Sequence, residues 1–254
     1  MSLLEVKHLQ KIYTTRFGTN QVEALRNVDF DVEQGEYVAI MGESGSGKTT
    51  LLNILATLDR PTAGTVLLNG QDLGGVKEGQ LAKFRREHLG FVFQDFHLLD
   101  TFSLRDNIYL PLVLSRRPAA EMPQRLEPIA KALSIFEILD KYPYEVSGGQ
   151  KQRAAVARAL ITQPEILLAD EPTGALDSKA SAALLDLFEQ IHVGGQTILM
   201  VTHSAQAASR ASRVLFIKDG VVFHQLYRGA MSSSAMFAKI GDTLTMLAGG
   251  ADHV

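Results

Sequence analysis

The sequence predicts an α/β fold interrupted by a helical segment, and three observations carry that prediction. Short apolar runs bounded by turn residues recur along the chain, as the buried strands of a mainly parallel sheet do. Amphipathic helix patterns lie between them, and one begins directly after a glycine-rich loop at "GESGSGKT". From about 95 to 161 the strand-like runs stop and helix periodicity dominates.

Taken in order, "LLEVKHLQKIY" and "EALRNVDFDVEQGE" alternate apolar and polar residues and read as strands. "GEYVAIMG" is a buried strand, and "KTTLLNILATL" after the glycine loop is a helix. "GTVLLNG" and "LGFVFQ" are further strands. Within the helical segment, Leu126, Ile129, Ala130 and Leu133 fall on one helix face. Pro128 sits inside that pattern and predicts a kink or a later helix start. "EILLAD" resumes the strands. The next helix, "DSKASAALLDLFEQIH", turns Leu184, Leu187, Phe188 and Ile191 to one side; Asp177 or Ser178 can cap it, and Gly194-Gly195 stops it. "QTILMVTH" and "RVLFIK" are buried strands, and Asp219-Gly220 turns the last one into a hairpin with "VVFHQL". The tail from Met231 predicts a helix capped by a serine among Ser232 to Ser234, fraying through Gly249-Gly250.

Bulk composition limits the function classes. The chain has 254 residues, 46% of them hydrophobic, which suits one large globular domain. A net charge of -3 gives no global basic footprint, and no nucleic-acid partner is expected. The local cluster "KFRREH" reads as a solvated helix face or a contact site. There are no cysteines, which excludes a disulfide framework and thiolate metal sites. The seven histidines show no ligand-like spacing, so no structural metal is expected. "MSLLEVKHLQ" carries Glu5 and no long apolar core, unlike a signal peptide. No run approaches the roughly 18 apolar residues of a membrane span, so a membrane role must come through a partner.

The chemistry starts at the glycine loop. Gly42 to Thr49 matches G-x-x-x-x-G-K-[ST], in which glycines let successive backbone N–H groups turn around phosphate oxygens and the following helix adds its dipole. Lys48 would reach the β- and γ-phosphates, and the Thr49 hydroxyl would ligate Mg²⁺. Asp170, at the end of the "ILLAD" strand, can hold the Mg²⁺ water shell. Glu171 follows it and can orient or deprotonate an attacking water. His203, at a strand tip, can sense the γ-phosphate. Gln94 can bind Mg²⁺ or water in the same place. A second anion-receiving end stands at "VSGGQKQR", where Ser147, Gly148 and Gly149 open onto a helix.

The ordered set of Gly42–Thr49, Gln94, "VSGGQ", "LLADEP", "ALD" and His203 resembles the ATP-binding cassette ATPases over nearly the whole chain. The resemblance implies a phosphate-loop α/β core with an N-terminal antiparallel β subdomain and an inserted helical subdomain. It implies one ATPase domain: 1–94 and 162–230 as core plus β subdomain, 95–161 as the helical signature subdomain, and 231–254 as a tail. ATP and Mg²⁺ are the implied cofactors. Gly42, Ser44, Gly45, Ser46, Gly47, Lys48, Thr49 and Thr50 would hold the phosphates, and Tyr13 would stack on adenine. Ser147, Gly148, Gly149 and Gln150 would cap the γ-phosphate held by a second, head-to-tail copy, and Asp177 belongs to a loop that crosses between copies. Glu171, His203, Gln94 and Lys48 would be catalytic; Thr49, Gln94 and Asp170 would hold the metal. Two departures stand out: Val146 where leucine is commoner, and Gly174 where serine is commoner.

A narrower resemblance lies in "HLGFVFQDFHLLDTFSLRDNIYLPL", "KYPYEVSGGQKQR", "DEPTGALDSK" and "RVLFIKDG", which look like the ATPase subunits of bacitracin-type peptide-antibiotic exporters. It implies a peripheral protein on the cytoplasmic face of a bacterial membrane, driving a separate permease that communicates with a sensor histidine kinase. The alternatives are the related subunits for macrolide export, haem efflux and lipoprotein release, and then ATPases outside transport. DNA-repair relatives need a long coiled coil and translation-factor relatives two cassettes; neither is present. The apolar residues after Gln94, among them Leu99 and Phe102, would fill the helical insert or form a groove for a permease helix.

Overall fold

In the computed structural model, which describes residues 2–14 and 21–249, the chain forms two sheets. β1 (Ser2–Thr14) pairs antiparallel with β2 (Gln21–Glu33) on one side and β4 (Ala63–Leu68) on the other, and β5 (Gln71–Asp72) extends β4. Leu4, Val6, Leu9, Leu25, Val28 and Val32 of this sheet are buried, while intervening polar residues face water. That is the alternation the sequence carries.

The second sheet runs β10-β9-β3-β8-β7-β6. Its parallel strands are β3 (Tyr37–Met41), β6 (Leu89–Val92), β7 (Ile166–Asp170), β8 (Thr197–Thr202) and β9 (Arg213–Lys218). β10 (Val221–Tyr227) returns antiparallel to β9 through Asp219 and Gly220, both at positive φ (49° and 74°), as a tight hairpin turn requires. Both faces of this sheet are covered. Tyr37, Ala39 and Met41 join a core shared with the central helices, whereas Val38 and Ile40 join a second core against α1 (Lys48–Leu55) and the antiparallel sheet. All five residues of β3 are therefore buried, and the run reads as continuously apolar.

α2 (Glu78–His88) precedes β6. α3 (Leu104–Leu114), α4 (Met122–Ala132) and α5 (Gly148–Leu160) occupy most of 95–161, linked by three short 3-10 turns, and α5 packs on both α3 and β6. α6 (Ser178–Val193), the short α7 (Ala205–Ala208) and α8 (Ser233–Gly249) complete the chain. Leu126, Ala130 and Leu133 are buried, and Ile129 packs against the same core. On α6, Leu184 and Phe188 are buried with Leu187 and Ile191 at the margin; Leu185 is buried too, so the apolar face is wider than the four expected residues.

Several boundaries differ from expectation. Of the two outcomes open at Pro128, a kink or a later start, the later start does not occur: α4 runs from Met122, with Pro123 in its first turn, through Pro128. α1 stops at Leu55 because Thr57 takes a left-handed conformation (φ 55°). "KFRREH" is not a simply solvated face: Phe84 is buried, Arg85 donates to the Thr57 carbonyl (3.1 Å) and His88 Nδ1 meets Glu165 Oε1 (2.7 Å). Asp177 caps α6 by accepting from Ala180 N (2.8 Å), and Gly194 ends that helix. Ser232 Oγ accepts from Ala235 N (3.2 Å) at the start of α8, which Met236 and Ile240 anchor. Gly249 closes α8; the expected fraying at Gly250 lies outside the described residues. Among the described residues no helix is long and apolar enough to cross a membrane.

Candidate active site

The glycine loop leaves β3 and closes onto α1. Gly47 sits at φ 101°, and a Cβ there would lie 2.5 Å from the Ala24 carbonyl oxygen, so the loop can pack against β2 only with glycine at this position. No side chain caps α1, and its first N–H groups are left for an anion. Lys48 Nζ donates to the carbonyls of Gly42 and Glu43 (2.7 Å each). Burial lowers its pKa, while the nearby Glu171 and Asp170 carboxylates push it back up. Ser46 Oγ is buried and has no hydrogen-bond partner among the described residues.

The facing wall comes from three strand ends. Asp170 is the last residue of β7, and burial raises its pKa, reinforced by the Glu171 charge and offset by Lys48. Glu171 follows at φ 44°, an uncommon conformation for a side-chain-bearing residue. It is held there by its N–H, which donates to Val201 O (2.9 Å). The carboxylate has two partners: Thr202 Oγ1 donates to Oε2 (2.9 Å), and His203 Nδ1 lies 2.8 Å from Oε1. The parallel register sets Asp170 opposite Val201, so the residues that follow each strand meet.

These groups surround one cavity of about 420 Å³. Ser44, Gly45, Gly47, Lys48, Thr49, Thr50, Gln94, Asp170, Glu171 and His203 all line it. Gly42 and Ser46 lie within the same loop but outside the lining. Tyr13 is not part of the lining: its hydroxyl donates to Asp59 Oδ2 (2.7 Å), Lys11 Nζ covers one ring face at 4.8 Å, and the residue is 41% exposed. Burial raises its pKa, and its hydroxyl also meets Thr50.

Ser147, Gly148, Gly149, Gln150 and Asp177 are not brought to this cavity. Ser147 instead caps α5: its Oγ accepts from Gln150 N (3.3 Å), and Gln150 Oε1 accepts from Ser147 N (2.9 Å). Gly174 explains its own departure from serine in part, since a Cβ there would come within 3.0 Å of the Gln94 amide carbon. Sequence reasoning missed Val22, Glu23 and Ala24 of β2, which also line the cavity, and Thr202. Thr202 is the hydroxyl in "VTH"; only the register between β7 and β8 shows that it meets Glu171.

The ABC transporter family model matches residues 25–174. The chain is 48% identical over 254 residues to the ABC transporter ATP-binding protein YxdL of Bacillus subtilis, covering 100% of this chain and 97% of that protein. It is 47% identical over 250 residues to the bacitracin export ATP-binding protein BceA of Halalkalibacterium halodurans, covering 98% of each. A solved dimeric structure of the ATP-binding cassette MJ0796 in a post-hydrolysis state with ADP and Pi superimposes with a TM-score of 0.79 at 37% identity, covering 88% of this chain and 98% of that one. An open phosphate loop facing two strand-end carboxylates, together with these likenesses, defines a cassette ATPase. The chain belongs to the ABC transporter family and is an ATP-hydrolysing subunit of a transporter.

Proposed function

We propose that two copies of this chain pair head to tail around two ATP molecules and so power a separate permease in the export of, or protection from, bacitracin-like peptides. One observation carries this reading. The chain holds two anion-receiving ends, the loop before α1 and the Ser147-capped start of α5, and only the first belongs to its cavity. A second copy would supply the missing end.

Under this reading Lys48 exchanges its loop carbonyls for the β- and γ-phosphate oxygens. The buried Ser46 hydroxyl and the free N–H groups of α1 complete the cradle with Gly42, Ser44, Gly45, Gly47 and Thr50. The donor set also fits Mg²⁺, which keeps most of its water and takes one or two protein carboxylates with phosphate oxygens. Thr49, Asp170 and Gln94 share the cavity wall and would hold it. When bound, Mg²⁺ neutralises phosphate charge as the terminal phosphoryl group leaves. Glu171 positions and accepts a proton from the attacking water, with Thr202 fixing one carboxylate oxygen. His203, whose Nδ1 is engaged by Glu171, turns Nε2 to the γ-phosphate. Tyr13 offers the ring face opposite Lys11 to adenine. Gly148, Gly149 and Gln150 with Ser147 cap the partner's γ-phosphate, and Asp177 crosses toward the other copy. Residues 95–161 act as the signature unit between 1–94 and 162–230, with 231–254 as a tail. The assembly sits on the cytoplasmic face of the membrane and, through the permease, communicates with a sensor histidine kinase.

Glu171→Gln tests this. Nucleotide binding is expected to persist, turnover to fall by about 10²–10⁴-fold, and Mg-ATP to convert the chain to a dimer on size exclusion. Near wild-type turnover removes Glu171 from the role, and a monomer at saturating Mg-ATP sinks the paired site.

A further inference from the structure

Gln152 is a fully buried polar side chain that does not line the nucleotide cavity. It stands on α5, one turn after Gly148, or about 6 Å along the helix axis. Both N–H groups of its amide are used. Nε2 donates to the Phe93 carbonyl (3.0 Å) and to the Pro172 carbonyl (2.7 Å). Phe93 directly precedes Gln94, and Pro172 directly follows Glu171. A single amide therefore joins the two backbone segments that carry Gln94 and Glu171, and joins both to α5.

The oxygen of the same amide is left out. Gln152 Oε1 is shut off from solvent with no hydrogen-bond partner among the described residues. A buried acceptor without a donor is unfavourable, and an apolar side chain of the same length would fill the space without that penalty. Core packing alone thus disfavours glutamine here. What glutamine adds is a pair of N–H groups aimed at two carbonyls far apart in the sequence.

α5 grips the Gln94 segment at a second point. Arg158 donates to the Phe96 carbonyl (2.9 Å) and to that of His97. Phe96 and His97 take left-handed conformations (φ 61° and 48°), uncommon for residues with side chains, so the path of the chain after Gln94 is imposed by its surroundings. A Cβ on Gly148 would lie 3.7 Å from the Phe96 ring and 3.6 Å from Leu176. The start of α5 thus packs against the segments that leave Gln94 and Glu171.

Resting on the reading of Glu171 and Gln94 as the groups that handle water and metal, we propose that Gln152 is a positioning residue for ATP hydrolysis, which sets the Gln94 and Glu171 backbones in register with α5. Ser147 is exposed at the start of the same helix. One helical turn is short and stiff, so whatever seats on that start also fixes Gln152, and through it the Glu171 carboxylate of the same chain. Chemistry in each chain's own cavity then depends on whether its α5 is engaged.

Gln152→Met keeps length and burial and removes both donors. Turnover and the affinity for TNP-ATP are measured on the purified chain well below its Tm. The variant is expected to lose about tenfold in kcat while nucleotide affinity stays within about twofold, because the phosphate loop is untouched. Gln152→His keeps one ring N–H for one of the two carbonyls and is expected to recover part of kcat. In the Glu171→Gln background, Gln152→Met is expected to slow turnover by less than about threefold, since the carboxylate it acts through is already gone. Wild-type kcat in Gln152→Met overturns the proposal. Equal losses of kcat and affinity overturn it too, because they mark a general loosening of the core. So does a full tenfold loss in the Glu171→Gln background. If Gln152→Met does not fold, Gln152→His decides: a lowered kcat at unchanged affinity supports the positioning role, and a wild-type kcat overturns it. Near wild-type turnover of Glu171→Gln alone sinks the underlying reading of Glu171, and this inference with it, a failure distinct from wild-type kcat in Gln152→Met.

Discussion

Thr202 shows how much a single buried hydroxyl can decide. It is fully buried, donates to Glu171 and accepts from Ser204 N (3.0 Å), so both of its hydrogen-bonding roles are used. Thr202→Val keeps the shape and removes the bond. It is expected to lower kcat about tenfold with little change in the KM for ATP, because the carboxylate is misplaced rather than the nucleotide. Thr202→Ser is expected to recover most of the loss, and an unchanged kcat in the valine variant removes Thr202 as a positioning residue. Asp170 makes a different point. Its folded-state pKa lies above the unfolded value, chiefly because of burial. The ionised form is therefore penalised in the ligand-free fold, and stability present below the unfolded pKa is lost as pH rises through the folded one. Asp170→Asn is expected to raise the Tm of the nucleotide-free protein by roughly 1–3 °C at neutral pH. That gain should vanish as pH falls through the carboxylate range. A gain that persists in acid would show that it does not come from the charge.

Elements in this chain are set by their ends. Ser147 and Asp177 each satisfy an orphan N–H at a helix start, of α5 and α6 respectively. The same two residues are those expected to act across a subunit boundary, and a cap and a cross-chain contact are separable. Asp177→Ala is expected to cost about 1 kcal/mol, or about 2–4 °C in Tm for a chain this long, whereas Asp177→Asn preserves the cap. Thermal melts of the two variants check this; equal Tm values for alanine and wild type would deny the cap its weight. The caps were legible because Asp-Ser-Lys and Ser-Gly-Gly-Gln precede helical runs. At Pro128 the sequence left two outcomes open, a kinked helix or a later start, and did not choose between them. Proline forbids one backbone hydrogen bond, but Met122, Leu126 and Ala130 are buried on the same helix, with Leu133 buried just past its end, and that burial holds the helix together across it.

For the whole molecule, the central consequence of the proposed head-to-tail pairing is that a single chain would carry two half-sites. Ser147→Arg and Lys48→Ala are each expected to abolish hydrolysis when alone, since each spoils both composite sites of its own dimer. Mixed in equal amounts with random pairing, half of the dimers keep one intact site, so recovery of up to about one quarter of wild-type turnover is expected. No recovery from mixed dimers shown to form would mean that the Ser147 end does not complete another chain's site.

Local chemistry in the sequence determined the phosphate loop, the buried strands on either side of it, the strand-end carboxylates and the capped helix starts. Each depends on residues a few positions apart, so spacing alone specifies it. Tertiary structure decided what those pieces face. The Asp170–Val201 register joins Glu171 to Thr202 and His203, and β2 supplies a wall that no motif announces. The chain's path brings Arg86 of α2, Arg125 of α4 and Arg116 and Arg117, which follow α3, around one cavity. These contacts join residues tens of positions apart, and their geometry follows from sheet order and helix packing, which are properties of the folded chain rather than of any stretch of it.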